Sequence, residues 1–477
     1  MPTPFVAAPQ PVAVPHPALK RRLGLIGAPL VLAILWFTPV QEGVAAQHAM
    51  AIGAMMIVLW ATEAIAYAHT ALIGIFLFWA LSISPFEIAF SGFSAETTWF
   101  LLSAIVLGMA ATKSGLTERL AYSVTARVGA SYSALLLAFI VVDFLLTFLI
   151  SSGIARVTAL AAIVAGMVKA LGLGPRSNVA RGLLLIVTYA AGLFDKMIIA
   201  GSGSILARGI IQQVAGVSVP YSQWLVAYLP ADAITILCCW RLILWLYPPE
   251  RNTLEEGAAY IRRKLAEMGA PSQSEKRCGA LLGIAVVLWM TDSIHHLNPA
   301  MIGVAVALVA VTPKVGLLNT TDLRSLNVGV VLFTAGALGM SKVLAYTQAL
   351  NVLTHATVTW MTPLVVGPLS ASIVLYWTAF IYHLFLGNDT TMLTSSLPAV
   401  LTFATVQGLN PLQIGMIWAF GGGGKIFAYQ SGVLLVGYSY GYFDASDLAK
   451  VGLIITVLES LVLVMLVRFY WPLVGVF

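Results

Sequence analysis

The chain has 477 residues, 60% of them hydrophobic and only 9% charged, with a mean hydropathy of +0.93. No water-soluble fold can hide that much apolar surface, so the composition describes an all-α polytopic membrane protein and excludes a soluble enzyme. Much of the formal net charge of +6 sits in two clusters, Lys20 to Arg22 and Arg251 to Arg277, which fit positive-inside topology rather than nucleic-acid binding.

In chain order, residues 1–22 read as a disordered tail, because residues 1–19 carry six prolines and no apolar run. The basic cluster that ends it places the N-terminus in the cytoplasm. Apolar segments follow at 23–40, 49–67, 70–83 and 97–112. An amphipathic stretch, 113–128, precedes a long segment at 134–171, about twice one span. Ser151, Ser152 and Gly153 interrupt it near its middle, as in a re-entrant hairpin or a broken helix. Segments 181–211 and 224–246 complete the first half. The polar, basic stretch 248–277 is a cytoplasmic linker.

The second half has apolar segments at 280–291, 300–311 and 328–344. A long segment at 362–403 is interrupted at Gly387, Asn388, Asp389 and Thr390. Segments 411–442 and 448–472 close the chain. The total is about eleven transmembrane helices.

Two stretches repeat each other. Residues 192–206 read GLFDKMIIAGSGSIL and residues 421–435 read GGGGKIFAYQSGVLL. Aligned without a gap, Lys196 falls on Lys425, Ser202 on Ser431 and Gly203 on Gly432. Neither stretch suits a continuous helix, and broken backbone at membrane depth is tolerated only where it is buried in protein or lines a cavity. Leu107-Gly108-Met109 is echoed by Leu338-Gly339-Met340, Phe148-Leu149 by Phe385-Leu386, and Tyr221-Ser222-Gln223 by Ala445-Ser446-Asp447. Paired discontinuous helices in internal repeats mark a secondary transporter. Each half has an odd number of spans after the first helix, so the repeats are inverted. The expected organisation is scaffold helices at 23–96, a first repeat at 97–247 (hairpin tip 151–153, broken helix 192–206), the linker at 248–277, scaffold helices at 278–326, and a second repeat at 327–477 (tip 388–390, broken helix 421–435).

Trp60-Ala61-Thr62-Glu63-Ala64-Ile65 followed by Thr70-Ala71-Leu72, and Thr98-Trp99-Phe100-Leu101 through Lys113-Ser114-Gly115-Leu116, resemble motifs of the divalent-anion/sodium symporter (DASS) family. The resemblance covers about residues 23–475. It implies carriage of dicarboxylate, citrate or sulfate, a homodimer, an elevator motion, and a dianion bound between two hairpin tips. It also implies two sodium sites built from Ser-Asn-Thr tips and broken-helix carbonyls. This chain departs from that pattern at its first tip and at both lysines. An ammonium ~4 Å from a sodium ion would repel it by roughly 4 kcal/mol at an effective dielectric of ~20. Lys196 and Lys425 are therefore expected to replace the sodium ions and to hold the dianion themselves.

The candidate substrate-binding residues are Ser151, Ser152, Gly153, Arg156, Lys196, Ser202, Asn388, Asp389, Thr390, Lys425 and Ser431. An intramembrane lysine is a functional candidate by default; the alternative is a lysine that snorkels or pairs for structure alone. Asp389 is placed to face Lys425, either as a proton-coupling pair or for neutralisation only. Arg156, one turn past the first tip, suits a carboxylate or a structural acid. The tip residues and serines equally suit helix capping. Glu63 and Asp143 read as structural. His295 and His296 do not share a helix face, and Cys238, Cys239 and Cys278 have no metal or redox spacing.

No cofactor or metal is expected, and no nucleophile–base pair for an enzyme. The expected partners are a small anion, the lipid bilayer and a second copy, in a cell inner membrane. Sodium-independent exchange or proton coupling is the leading expectation, with sodium-coupled symport as the alternative and a channel as a remote one.

Overall fold

The computed structural model describes residues 18–174, 176–198, 201–217, 219–251 and 253–475. The expected tail at 1–17 lies outside them. Helix α1 (Ala18–Phe37) starts ahead of the basic cluster, so Lys20, Arg21 and Arg22 form its first turns; lysine and arginine are good helix formers. The rest of the first half is α2 (Val44–Thr62), α3 (Tyr67–Ala80), α4 (Glu96–Lys113), α5 (Leu116–Ala126), α6 (Tyr132–Thr147), α7 (Gly153–Ala170), α8 (Asn178–Met197), α9 (Ser202–Ala215) and α10 (Tyr221–Leu246). The linker folds in part as α11 (Glu255–Glu267). The second half is α12 (Gln273–Met290), α13 (Pro299–Val311), α14 (Val328–Tyr346), α15 (Ala349–Thr357), α16 (Pro368–Leu386), α17 (Asp389–Val406), α18 (Pro411–Gly421), α19 (Gly432–Ser439) and α20 (Ala445–Met465). The described residues contain no β-strand.

Seven of the described helical segments are long and apolar enough to cross a bilayer, or eight if α4 and α5, bent by 64°, count as one. Three shorter apolar helices, α3, α6 and α13, fall below that length. Length and composition alone thus do not reach the expected eleven.

Both interruptions are helix–turn–helix hairpins. At the first, Ser152 caps α7 by accepting from Ala155 N–H at 3.3 Å. At the second, α16 ends at Gly387, whose φ of +85° is the left-handed geometry that glycine adopts without strain. Asn388 then caps α17 by accepting from Thr391 N–H at 2.9 Å. A capping side chain satisfies an N–H that would otherwise be orphaned at the helix start, a necessity away from water.

The two halves interlock crosswise. Within each half, the hairpin's first arm packs on the first part of the broken helix: α6 on α8, and α16 on α18. Across the halves, α7 packs on α19 while α17 packs on α9, α3 packs on α14 while α13 packs on α4, and α10 meets α20. Each contact has a counterpart with the halves exchanged, which is what a two-fold relation between repeats produces. The close approach is made by small residues. A Cβ on Gly336 of α14 would lie 2.5 Å from Ala71 of α3, and one on Gly303 of α13 would lie 2.5 Å from Ser103 of α4.

Candidate functional site

The two broken helices differ in where they break. In the first, Lys196 is still helical, and the chain leaves α8 only at Ile198. In the second, α18 stops at Gly421, so Lys425 lies in the unwound segment before α19. Gln430 holds that segment open. Its Oε1 accepts from the N–H groups of Ile426 and Phe427, each at 2.8 Å, and Ser431 caps α19 by accepting from Val433 N–H. At the first break, the carbonyls of Asp195 and Lys196 accept from the Ser204 hydroxyl at 3.1 and 3.0 Å, and Lys196 O also accepts from Trp224 Nε1 at 2.9 Å.

Between the breaks lies a cavity of about 30 Å³ lined by Asp195, Lys196, Asp389 and Lys425, with Ser204, Trp224, Tyr228 and Phe420 among its walls. That is room for roughly two water molecules. Two lysines from different repeats therefore face one cavity, Lys425 with one acid beside it and Lys196 with two. Lys425 Nζ lies 2.8 Å from Asp389 Oδ2. The other Asp389 oxygen lies 2.9 Å from His383 Nε2, which is also 2.8 Å from the carbonyl of Gln430. A carbonyl only accepts, so Nε2 carries a hydrogen, which fixes the tautomer of a neutral His383. Lys196 is bonded to Glu459 of α20, lies 3.8 Å from Asp232 of α10, and places its ammonium 4.3 Å from the centre of the Phe420 ring.

Arg156 has no exposed surface. Its Nε donates to Asp143 at 3.2 Å, its Nη1 and Nη2 donate to the carbonyls of Ile150 and Ala191, and Asp195 lies 3.7 Å away. The guanidinium donors are thus committed to α6, the first tip and α8. Such a clamp fixes the tip on the broken helix and brings Asp195 to the cavity wall.

Of the expected site residues, Lys196, Asp389 and Lys425 meet at the cavity. Ser151 is buried in the first tip, and Gly153 begins α7 packed against Val433 and the Ala191 carbonyl. Ser152, Asn388 and Ser431 serve as caps. Asn388 also donates to the Tyr67 hydroxyl at 2.6 Å, tying the second tip to α3. Thr390 lies in the first turn of α17, and Ser202 starts α9 while its neighbour Ser204 faces the cavity. Asp232, Glu459 and His383 did not figure among the expected residues. Each is an ionisable residue inside an apolar segment, a signal sufficient to single it out.

The profile of a family described as "Sodium:sulfate symporter transmembrane region" matches residues 19–477. A protein named "Membrane protein" from Cupriavidus necator is 25% identical over 486 residues, covering 97% of this chain and 94% of its own. "Dicarboxylate transporter 2.1, chloroplastic" from Arabidopsis thaliana is 26% identical, covering 82% of this chain and 71% of its own. A "Citrate/succinate antiporter" from Escherichia coli K12 is 24% identical, covering 81% and 80%. In three dimensions the chain is similar to the YdaH transporter of Alcanivorax borkumensis, with a TM-score of 0.55 at 15% identity over 97% of this chain and 99% of that one.

Proposed function

The chain belongs to the sodium:sulfate symporter transmembrane family, and from that premise we propose that it is a secondary carrier of small organic dianions of the C4-dicarboxylate kind, working without sodium. The observation that carries this reading is the convergence of Lys196 and Lys425 from opposite repeats on one cavity. Two fixed ammonium groups match two carboxylates, and a dicarboxylate can exchange places with the acids that hold them at rest. The substrate class is supported by the plant and E. coli relatives, whose names specify dicarboxylate and citrate/succinate.

The residues at the breaks do not fit a sodium ion. Sodium needs converging free oxygens, whereas here each break presents an ammonium to the cavity. The carbonyls of Asp195 and Lys196 are already engaged by Ser204 and Trp224. Cation charge built into the chain would leave dianion exchange or proton-coupled uptake as the transport mode. The cavity is too small for a dicarboxylate, so the tips and breaks must part for one to enter. By resemblance that movement is an elevator motion of the elements at about 134–215 and 370–442 against the remaining helices. The same resemblance supports a homodimer in a cell inner membrane, and the basic cluster Lys20 to Arg22 supports an N-terminus in the cytoplasm.

Counterflow of labelled succinate into proteoliposomes preloaded with unlabelled dicarboxylates tests the reading. Equal rates in sodium and choline are expected, with losses of at least about tenfold in Lys196→Ala and Lys425→Ala, equivalent to ~1.4 kcal/mol each. Strict sodium dependence, or normal transport by both variants, would overturn it in favour of sodium-coupled symport.

A further inference from the structure

Lys196 has more acid around it than it can neutralise. Glu459 and Asp232 come from α20 and α10, the symmetry-related final helices of the two halves, and both side chains have no exposed surface. Their repeat partners are threonines. Under the register that pairs Tyr221-Ser222-Gln223 with Ala445-Ser446-Asp447, Asp232 matches Thr456 and Glu459 matches Thr235. All four are fully buried. Each helix thus supplies one acid at a different level, and both acids approach the same ammonium.

The two carboxyls are not equivalent. Glu459 is bonded to the ammonium and lies 3.3 Å from the Tyr376 hydroxyl. Asp232 is 3.8 Å from the ammonium, and neither of its oxygens has a hydrogen-bond partner among the described residues. A buried carboxylate without hydrogen bonds is poorly stabilised as an anion. The neighbouring elements offer little else. On α10 itself, the Tyr228 hydroxyl donates to Met416 O, and Cys239 is buried. On α8, the Tyr189 hydroxyl donates to Leu448 O. On α6, Asp143 is held by Arg156. Asp292, in the short turn after α12, is taken by the start of α10. On the far side of the cavity, Lys425 is matched by Asp389.

One ammonium serves two carboxyls and also faces the cavity where a dianion would sit. We infer that Asp232 is a proton-carrying site whose protonation is linked to occupancy of that cavity by the dianion. When the cavity is empty, the charge of Lys196 is shared by Glu459 and Asp232. A dianion draws on the same charge and repels Asp232, so Asp232 takes a proton from water and keeps it until the dianion leaves. Proton and dianion then bind together, and by linkage a low pH tightens dianion binding. This inference rests on the dianion-carrier reading above.

The test is calorimetry of succinate, citrate and sulfate binding to the full-length protein in buffers of different ionisation enthalpy, near neutral pH. The wild type is expected to take up about one proton per dianion. Asp232→Asn, an isosteric stand-in for the protonated acid, is expected to bind without that uptake. In proteoliposomes its remaining net uptake should no longer respond to an acid-outside gradient. Unchanged proton uptake in Asp232→Asn would overturn the inference. Should that variant not fold, the wild type decides alone: a dianion affinity that stays flat between about pH 6 and pH 8 overturns it. Dianion binding without proton uptake defeats this inference and leaves the carrier reading standing. Neither binding nor counterflow of any of the three anions by the wild type defeats both.

Discussion

Lys196 reaches its acids by passing over Gly423, where a Cβ would lie 2.3 Å from the ammonium and 2.9 Å from Cδ of the lysine. A glycine of the second broken helix therefore makes the space that a lysine of the first one occupies. Gly423→Ala should displace the ammonium from Glu459 and Asp232 and slow succinate counterflow by at least about tenfold. Gly422→Ala meets only the flexible end of Met392 and a carbonyl at 3.4 Å, and should be milder. Equal rates in the two variants would show that the position of Lys196 does not depend on this contact.

The pairing of Lys425 with Asp389 can be separated from its contribution to transport. Removing one partner leaves a largely buried charge without its ammonium, so Lys425→Ala should cost at least about 2 kcal/mol in thermal unfolding, below the roughly 3–5 kcal/mol of fully buried pairs because Asp389 is 31% exposed. The double variant, Asp389→Ala with Lys425→Ala, should cost less than the sum of the two single variants. Additive losses would show that the two groups do not stabilise each other.

Asn388 and Tyr67 join the second hairpin tip to α3 at 2.6 Å. If the tip moves against that helix during transport, a bridge at this point must stop the cycle. With Cys238, Cys239 and Cys278 replaced by serine, a Tyr67→Cys, Asn388→Cys pair should lose counterflow when joined by a short bifunctional thiol cross-linker and keep it when each thiol is capped singly. Transport that continues in the cross-linked protein would place the moving boundary elsewhere.

Stability in acid should depend on Glu275, which lies outside the apolar spans. Its carboxyl accepts from Arg119 at 2.7 Å and from the Ser272 N–H at 2.5 Å. Burial acts to raise this carboxyl, but the bonds from Arg119 and Ser272 outweigh it and hold it below its ordinary range. A depressed folded-state value means the contribution is complete above the unfolded value of about 4.3 and is lost as the pH falls through the folded one. The melting temperature should therefore drop in acid, and Glu275→Gln should start lower at neutral pH and fall less steeply. Parallel curves for the two proteins would exclude the pair as an acid-sensitive tie.

What could be read from the sequence followed from two physical constraints. Lipid forces backbone to satisfy itself, so glycine breaks and polar tips stand out, and they located both hairpins and both broken helices. Burial of charge is costly, so Lys196, Lys425 and Asp389 were conspicuous. The partners were harder to assign, because pairing depends on which helices meet. Lys196 and Asp195 are neighbours in sequence, yet their side chains part, one to Glu459 and the other towards Arg156. Arg156 had the chemistry for a ligand, and only packing reveals that its donors are committed within the protein. Helix α15 is short, and hydropathy alone does not signal it.

The crosswise packing also sets an order of events during synthesis. Lys196 and Glu459 are 263 residues apart, which at ordinary translation speed is roughly 13–50 s. Throughout that interval a lysine has entered the membrane before its principal partner exists. Asp232, only two helices further on, arrives far sooner. It can serve as an interim counter-ion during biogenesis, shielding the nascent first half until α20 is inserted and Glu459 takes over the ammonium.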